Sequence, residues 1–198
     1  MPARRLLPAL AALVLIGSMP LSARAADTYV MDPAHSSIGF SVRHMVISKV
    51  HGTFDDFDCS ITADLENLEN SSVDVTIQAK SINTRNEKRD GHLRSEDFLF
   101  AQKYPTLTFR SSAVRKQGDG YIAHGTLTIR GVAKEIDLPF RINGPVTSPG
   151  GDKVMGVEIE YTLNRQDYGV NWNRTLDGGG VLVGDEVDIE INLEMKKS

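Results

Sequence analysis

The chain has 198 residues, with 22 Lys and Arg, 26 Asp and Glu, 5 His and 1 Cys, and a formal net charge of −4. Apolar residues make up 40% and charged residues 24%, the balance of an ordinary globular chain, which excludes long disorder and collagen. One Cys excludes an intrachain disulfide framework and any multi-Cys zinc or iron–sulfur site, and net acidity without a basic block argues against nucleic acid as a partner.

Residues 1–25 read as an export signal. Arg4 and Arg5 form a positive n-region, Leu6 to Ile16 is apolar apart from Pro8, and Ala23-Arg24-Ala25 offers an A-x-A cleavage site. That apolar run is too short for a membrane span, and no stop-transfer segment follows. No Cys lies near the cleavage site to carry a lipid, and the Arg pair leaves Sec and twin-arginine export both open. The expectation is a periplasmic protein without stable membrane insertion, its domain running over 26–198. Removing the leader takes away Arg4, Arg5 and Arg24 and no acid, so the exported form is more acidic. Cys59 is expected as a small buried apolar residue or an inert thiol.

From there the chain alternates. Ile38, Phe40 and Val42 are apolar at period two, and so are Val73, Val75, Ile77 and Ala79. Leu107 and Phe109, Leu127 and Ile129, and Ile136, Leu138, Phe140 and Ile142 continue the pattern. Met155 to Leu163 and Val187 to Met195 repeat it with acids on the opposite face. Successive strand side chains point to opposite faces, so each segment has one apolar and one wet side, the mark of antiparallel sheet. Turn signals separate the segments: Gly118-Asp119-Gly120, Asn143-Gly144-Pro145, Ser148-Pro149-Gly150-Gly151 and Asp177-Gly178-Gly179-Gly180. The spacing predicts about eight strands. Asn86 to Phe100 alone breaks the alternation and reads as a short helix or two helical turns interrupted at Gly91. Eight strands with one apolar face need a closed barrel or a two-sheet sandwich, and periodicity does not choose between them.

The catalytic and metal motifs fail on spacing. Among His35, His44, His51, His92 and His124 there is no H-x-H or H-x-x-x-H pair, so no metal site is expected. No G-x-S-x-G elbow occurs, and Gly178 to Gly184 lacks the Lys-Ser/Thr ending of a phosphate loop. Asp32, His35 and His44 could form an acid–base cluster, but His35 after Asp32-Pro33 reads better as a turn residue. Arg85, Lys88, Arg89, His92 and Arg94 form the positive cluster, with Glu87, Asp90, Glu96 and Asp97 available to pair with them on a solvated helix.

Several blocks, in order, resemble the YceI-like polyisoprenoid-binding family. They are Asp32-Pro33-Ala34-His35-Ser36-Ser37-Ile38-Gly39-Phe40-Ser41-Val42-Arg43-His44, Val50-His51-Gly52-Thr53-Phe54 and Ser81-Ile82-Asn83-Thr84. Arg89-Asp90-Gly91-His92-Leu93-Arg94-Ser95-Glu96-Asp97-Phe98 and Lys103-Tyr104-Pro105-Thr106-Leu107-Thr108-Phe109 follow. Gly125 to Val132, Asn164-Arg165-Gln166-Asp167-Tyr168-Gly169 and Val183-Gly184-Asp185-Glu186-Val187 complete the set, with Tyr168 where Phe is common. The resemblance spans nearly the whole exported chain. It implies an all-β, eight-stranded antiparallel lipocalin-like barrel with a short helical segment capping one end. It also implies an apolar tunnel for a long-chain amphiphile (a polyisoprenoid, isoprenoid quinone or fatty amide), with no cofactor beyond that lipid, no catalysis, and often a homodimer.

Choosing the apolar parity as inward gives Phe40, Val42, Val75, Ile77, Phe109, Leu127, Ile159, Tyr161, Ile189 and Ile191 as tunnel-lining candidates. Arg85, His92 and Arg94 are the head-group candidates. The leading expectation is a periplasmic lipid carrier. The alternatives are a structural or protein-interaction barrel whose side chains fill its core and, third, a hydrolase acting on an apolar substrate.

Overall fold

A computed structural model describes residues 26–64 and 67–198. The expected leader, residues 1–25, lies outside the described residues. The described chain forms β1 (Asp27–Met31), β2 (Ser37–His44), β3 (Ser48–Phe54), β4 (Phe57–Ala63), β5 (Ser72–Gln78), β6 (Ile82–Asn83), α1 (Glu87–Arg94), β7 (Thr106–Gln117), β8 (Gly120–Ile129), β9 (Val132–Thr147), β10 (Lys153–Asn164) and β11 (Val183–Lys197).

All strand pairings are antiparallel. Eight strands run around a closed barrel in the order β1-β4-β5-β7-β8-β9-β10-β11, and β11 returns to β1. Closure resolves the ambiguity that periodicity left, because each of these eight strands has a neighbour on both sides and turns one face inward. β2, β3 and β6 are additional and grow from the other half of β11.

The first apolar segment is therefore two strands laid along one partner. Met31 lies opposite Met195, and Ser37 lies opposite Asn192. The chain between them makes an excursion that local bonds hold in place. Asp32 N donates to Glu194 O at 2.8 Å, Ala34 N donates to Asp32 Oδ1 at 2.8 Å, and Glu194 N donates to Ser36 Oγ at 3.0 Å. His35 is a residue of this turn, its Nδ1 lying 3.2 Å from Asp32 Oδ2.

Three sequence expectations need correction. Asn143-Gly144-Pro145 is not a turn. It lies inside β9, which continues to Thr147 through a register shift opposite Val154 and Gly156, and Ser148 to Gly151 makes the reversal. The helix is not interrupted at Gly91. It runs Glu87–Arg94 with Asn86 Oδ1 capping Arg89 N at 3.0 Å, and a side chain at Gly91 would meet nothing within 4 Å. Ala79 leaves its strand for a short turn, where it is wholly buried.

The most deeply buried cluster lies toward the closure of β1 and β11. Tyr29, Cys59, Met155 and Met195 are the largest fully buried side chains, and with Ile61, Ala63, Val157 and Leu193 they make one cluster. Burial there pushes the Cys59 thiol up to about 12, so the expected inert thiol is protonated at neutral pH. Met195 links β1, β10 and β11 at the point of closure. Met195→Ala should lower unfolding free energy by about 2–4 kcal/mol in urea titrations. Val146→Ser, at a 58% exposed position, should stay within about 0.5 kcal/mol of the parent.

Candidate lipid-chain site

The sheet register stacks inward side chains in rows. Val75, Phe109 and Leu127 lie abreast across β5, β7 and β8. Ile159, Ile191 and Ile38 lie abreast across β10, β11 and β2, followed by Tyr161, Ile189 and Phe40 and then Leu163, Val187 and Val42. These rows enclose an apolar cavity of about 130 Å³ in the barrel. A second apolar cavity of about 130 Å³ lies under α1. Phe54, Leu107, Ile129, Leu163 and Ile189 line both, so the two chambers adjoin across a shared wall.

Of the ten lining candidates, Val75, Ile77, Phe109, Leu127, Ile159, Tyr161, Ile189 and Ile191 face the barrel chamber. Phe40 and Val42 face the second chamber, which Ile189 shares. Phe40 sits there because its ring lies across Gly52, where even a Cβ would come within 2.4 Å of it, and tilts against Phe54 at 5.7 Å between centroids. Periodicity did not single out Leu93, Phe98 and Leu99, which close the second chamber from α1 and the turn after it. Their signal was the apolar run at the end of the only non-alternating segment.

Among the described residues the barrel chamber has no charged lining group. Its Tyr161 phenol is pushed above its ordinary pKa by burial and stays neutral. Such walls solvate hydrocarbon and repel ions. Several inward side chains, among them Val75, Ile77, Leu127, Ile159, Ile189 and Ile191, remain only partly buried although they face inside. They border empty space, so the barrel is not filled by its own side chains.

The second chamber has one charged wall residue, Arg165, which is 5% exposed. Its guanidinium is fully engaged. Nε donates to Gly184 O at 2.8 Å, Nη1 to Val170 O at 2.5 Å and Trp172 O at 3.0 Å, and Nη2 to Val183 O at 3.3 Å and Asp185 Oδ1 at 3.0 Å. Burial lowers its pKa and Asp185 opposes that shift. Arg165 thus fastens the 169–173 loop and the start of β11 around the chamber, a function that Asn164-Arg165-Gln166-Asp167-Tyr168-Gly169 did not disclose because its partners lie elsewhere in the chain.

The head-group candidates sit on and beside α1, and none lines either chamber. Arg85 is exposed, with φ 60° and its N–H bonded to Asn83 Oδ1 at 2.9 Å. The His92 ring meets Phe98 and Trp172 edge-on at 5.0 and 4.8 Å, and its Nε2 lies 2.9 Å from Asp97 Oδ2. Arg94 Nη2 donates to Ile82 O at 2.8 Å, while its Nε is buried without a partner. Arg89 of the same basic cluster is structural. Arg89 bonds Thr84 through Nε and Nη2, and Thr84 donates from both N and Oγ1 to the buried Asp90, which locks α1 onto β6.

Asp32, His35 and Glu194 bring potential ligand atoms within 4.8 Å of one another, a grouping hidden by sequence distance. The exposed His35 is held above its ordinary pKa, first by the hydrogen bond to Asp32 and then by the charges of Asp32 and Glu194. That pairing strengthens the turn when the ring is protonated and is lost as pH rises through the raised pKa.

A family model described as YceI-like domain matches residues 29–195. A UPF0312 protein of Staphylococcus aureus strain N315 is 37% identical over 171 residues, covering 86% of this chain and 98% of that protein. A Campylobacter jejuni YCEI protein of known crystal structure is 33% identical, with a TM-score of 0.67 over 86% of this chain and 98% of that one. Burkholderia cenocepacia BcnA shares the fold at 24% identity, with a TM-score of 0.73 over 83% of this chain and 98% of that one. So does a polyisoprenoid binding domain from Saccharophagus degradans, implicated in plant cell wall breakdown, at 16% identity and a TM-score of 0.63, covering 87% and 99%.

Two measurements follow from this geometry. Arg165→Lys should destabilise the fold by about 3 kcal/mol, nearly as much as Arg165→Ala, because an ammonium does not reproduce a planar fork bonded to several acceptors. Urea titration of both variants checks this, and full recovery by Lys would contradict it. In an NMR titration, the His35 midpoint should lie above the ordinary His value and fall toward it in Asp32→Asn.

Proposed function

We propose, from the premise that this chain belongs to the YceI-like domain family, that it is a non-catalytic periplasmic carrier of a long-chain amphiphile. The chain would lie in the two adjoining chambers and the head group would stay at the α1 end. The observation that carries this reading is the pair of adjoining apolar chambers, whose inward carbon stays only partly buried. The polyisoprenoid-binding name of the Saccharophagus degradans domain supports an isoprenoid chain, and an isoprenoid quinone or fatty amide offers the same slender hydrocarbon.

The direction of entry follows from packing. Tyr29 and Met195 are buried behind the cavity wall, while Met155, Val157 and Leu193 of the same cluster form part of that wall, so a chain entering from the α1 end runs toward this cluster. A cavity near 150 Å³ takes a benzene-sized guest, so each chamber of about 130 Å³ takes a short hydrocarbon segment as it stands. A longer chain spans both by turning side chains of the shared wall. Burial contributes about 0.8 kcal/mol per CH2, or about 4 kcal/mol for a five-carbon unit before the cost of ordering the chain. Several units suffice for tight binding without a polar contact inside. Arg94 supports a head-group site because its Nε is a donor without a partner.

Native mass spectrometry of the protein exported to the periplasm tests this. The expected result is a one-to-one long-chain adduct, retained or regained with polyprenyl phosphate, isoprenoid quinone or fatty amide. Leu127→Trp, which fills the barrel chamber, should weaken binding at least about tenfold. Arg94→Ala should weaken a charged amphiphile more than a neutral one in fluorescence displacement. A bare mass with every lipid would favour the interaction-protein reading.

A further inference from the structure

The apolar surface of this protein is not evenly spread. Val46 and Ile47 are 64% and 81% exposed, and Met45 and Val181 are each 40% exposed. These four lie together at one end of the barrel. Met45, Val46 and Ile47 form the β2–β3 turn, whose Met45 N donates to Leu182 O at 2.9 Å. Val46 Cγ2 reaches the space over Gly180. Isolated exposed apolar residues need no explanation, but a contiguous group on a projecting turn does.

The backbone there is unusual. Met45 and Val46 have φ of 53° and 66°, a region that disfavours side chains and is a true outlier for a β-branched residue. Gly or Asn would relieve the turn, and the sequence instead keeps three large apolar residues in it.

The position is also specific. Val42 and Val183 line the second chamber, and the same strands lead directly to Met45 and back from Val181. The exposed tip and the chamber under α1 therefore share one end, away from the buried Tyr29 and Met195 cluster.

Charge favours an anionic lipid surface over another apolar partner. Residues 43–54 carry Arg43, His44, Lys49 and His51 and no carboxylate, in a chain with net charge −4. Arg174 stands on the facing loop, with Asp177 beyond it, and Lys49 is paired with Asp188 at 2.7 Å. Asp185 and Glu186 lie beside them at the start of β11, where Asp185 is paired with Arg165, and Arg43 and Arg174 flank the apolar turn as cations that an anionic surface attracts. We propose that Met45, Val46, Ile47 and Val181 form a docking tip that dips into the polar layer of an anionic bilayer and sets the second chamber against it. The use of such docking, loading or releasing a chain without passage through water, rests on the carrier reading. The docking itself does not.

Vesicle sedimentation tests it, using the intact protein and vesicles of phosphatidylethanolamine and phosphatidylglycerol. The protein should sediment, less at high salt. The double variant V46S/I47S should lower partitioning about tenfold or more, since interfacial binding scales with buried apolar area. Arg174→Glu should weaken binding to these vesicles but not to phosphatidylcholine. Val146→Ser, at the opposite end, should bind as the parent does. If the double variant loses its β-sheet circular dichroism, Ile47→Asp alone decides in the same way. A parent protein that stays in the supernatant overturns the proposal, as does a folded tip variant that sediments like the parent. A vesicle-free dimer that V46S/I47S dissociates, without sedimentation, overturns it in favour of a second copy of this chain. Native mass spectrometry of the same samples separates the two readings. Lost sedimentation with intact lipid adducts is the expected behaviour of the tip variants. A parent that sediments but carries no adduct strikes the carrier reading and leaves the tip standing.

Discussion

The structure depends on β11 being shared. Its far end pairs with β1 and closes the barrel, while its first half pairs with β2 and opens a second layer. Along its other side it pairs continuously with β10 from Glu186 to Lys196. A single strand in the place of β1 and β2 would carry one closed barrel from end to end. The excursion at Asp32 to Ser36 prevents that, and the bonds to Glu194 hold it. At the β1 end, Tyr29, Met155 and Met195 are fully buried, with Met155 also on the cavity wall. At the β2 end, the added strands leave a space that α1 and the loop fastened by Arg165 must cover.

This division explains how one apolar face has two fates. Around Met195 the inward side chains are deeply buried, although Met155, Val157 and Leu193 also line the cavity. Near Ile189 and Ile159 they face a void. Void-facing carbon forgoes dispersion contacts and is a stability cost to the empty protein. The buried cluster around Met195 supplies stability that the void gives up. A guest that restores those contacts is favoured for the same reason, and the preference is for hydrocarbon because no charged group lines the barrel chamber.

Strand parity was legible in the sequence, and closure was not. The rows at Val75, Phe109 and Leu127 and at Ile159 and Ile191 follow from period-two alternation. β4 alternates too, through Phe57, Cys59, Ile61 and Ala63, but its small residues give a weak signal, and β1 is only five residues long. Which strand pairs with which depends on contacts far apart in sequence, as Met31 with Met195 illustrates. The same distance hid Arg165 and its acceptors, and Asp32 with Glu194. The helix was legible by exclusion, as the one stretch that did not alternate. Its interruption at Gly91 was misread because a glycine on a solvent-facing side lowers helix propensity without breaking the helix. Asn143-Gly144-Pro145 misled similarly, since turn-forming residues also serve bulges within a strand.

Two arginines at the α1 end show why composition alone does not identify a ligand site. Arg165 has the burial and the charge expected of a head-group clamp, yet backbone carbonyls and Asp185 occupy its donors. Using it for a ligand would mean breaking bonds that hold the chamber wall. Arg94 is less buried and looks ordinary in sequence, yet its Nε is the buried side-chain donor left without a partner. A buried donor with nothing to bond costs about 1–3 kcal/mol, and that cost is recovered only when an acceptor arrives. The asymmetry makes Arg165 part of the frame. Arg94, one residue beyond the chamber-lining Leu93, keeps a buried Nε without a partner yet lines neither chamber, so its position in the sequence does not by itself make it a ligand contact.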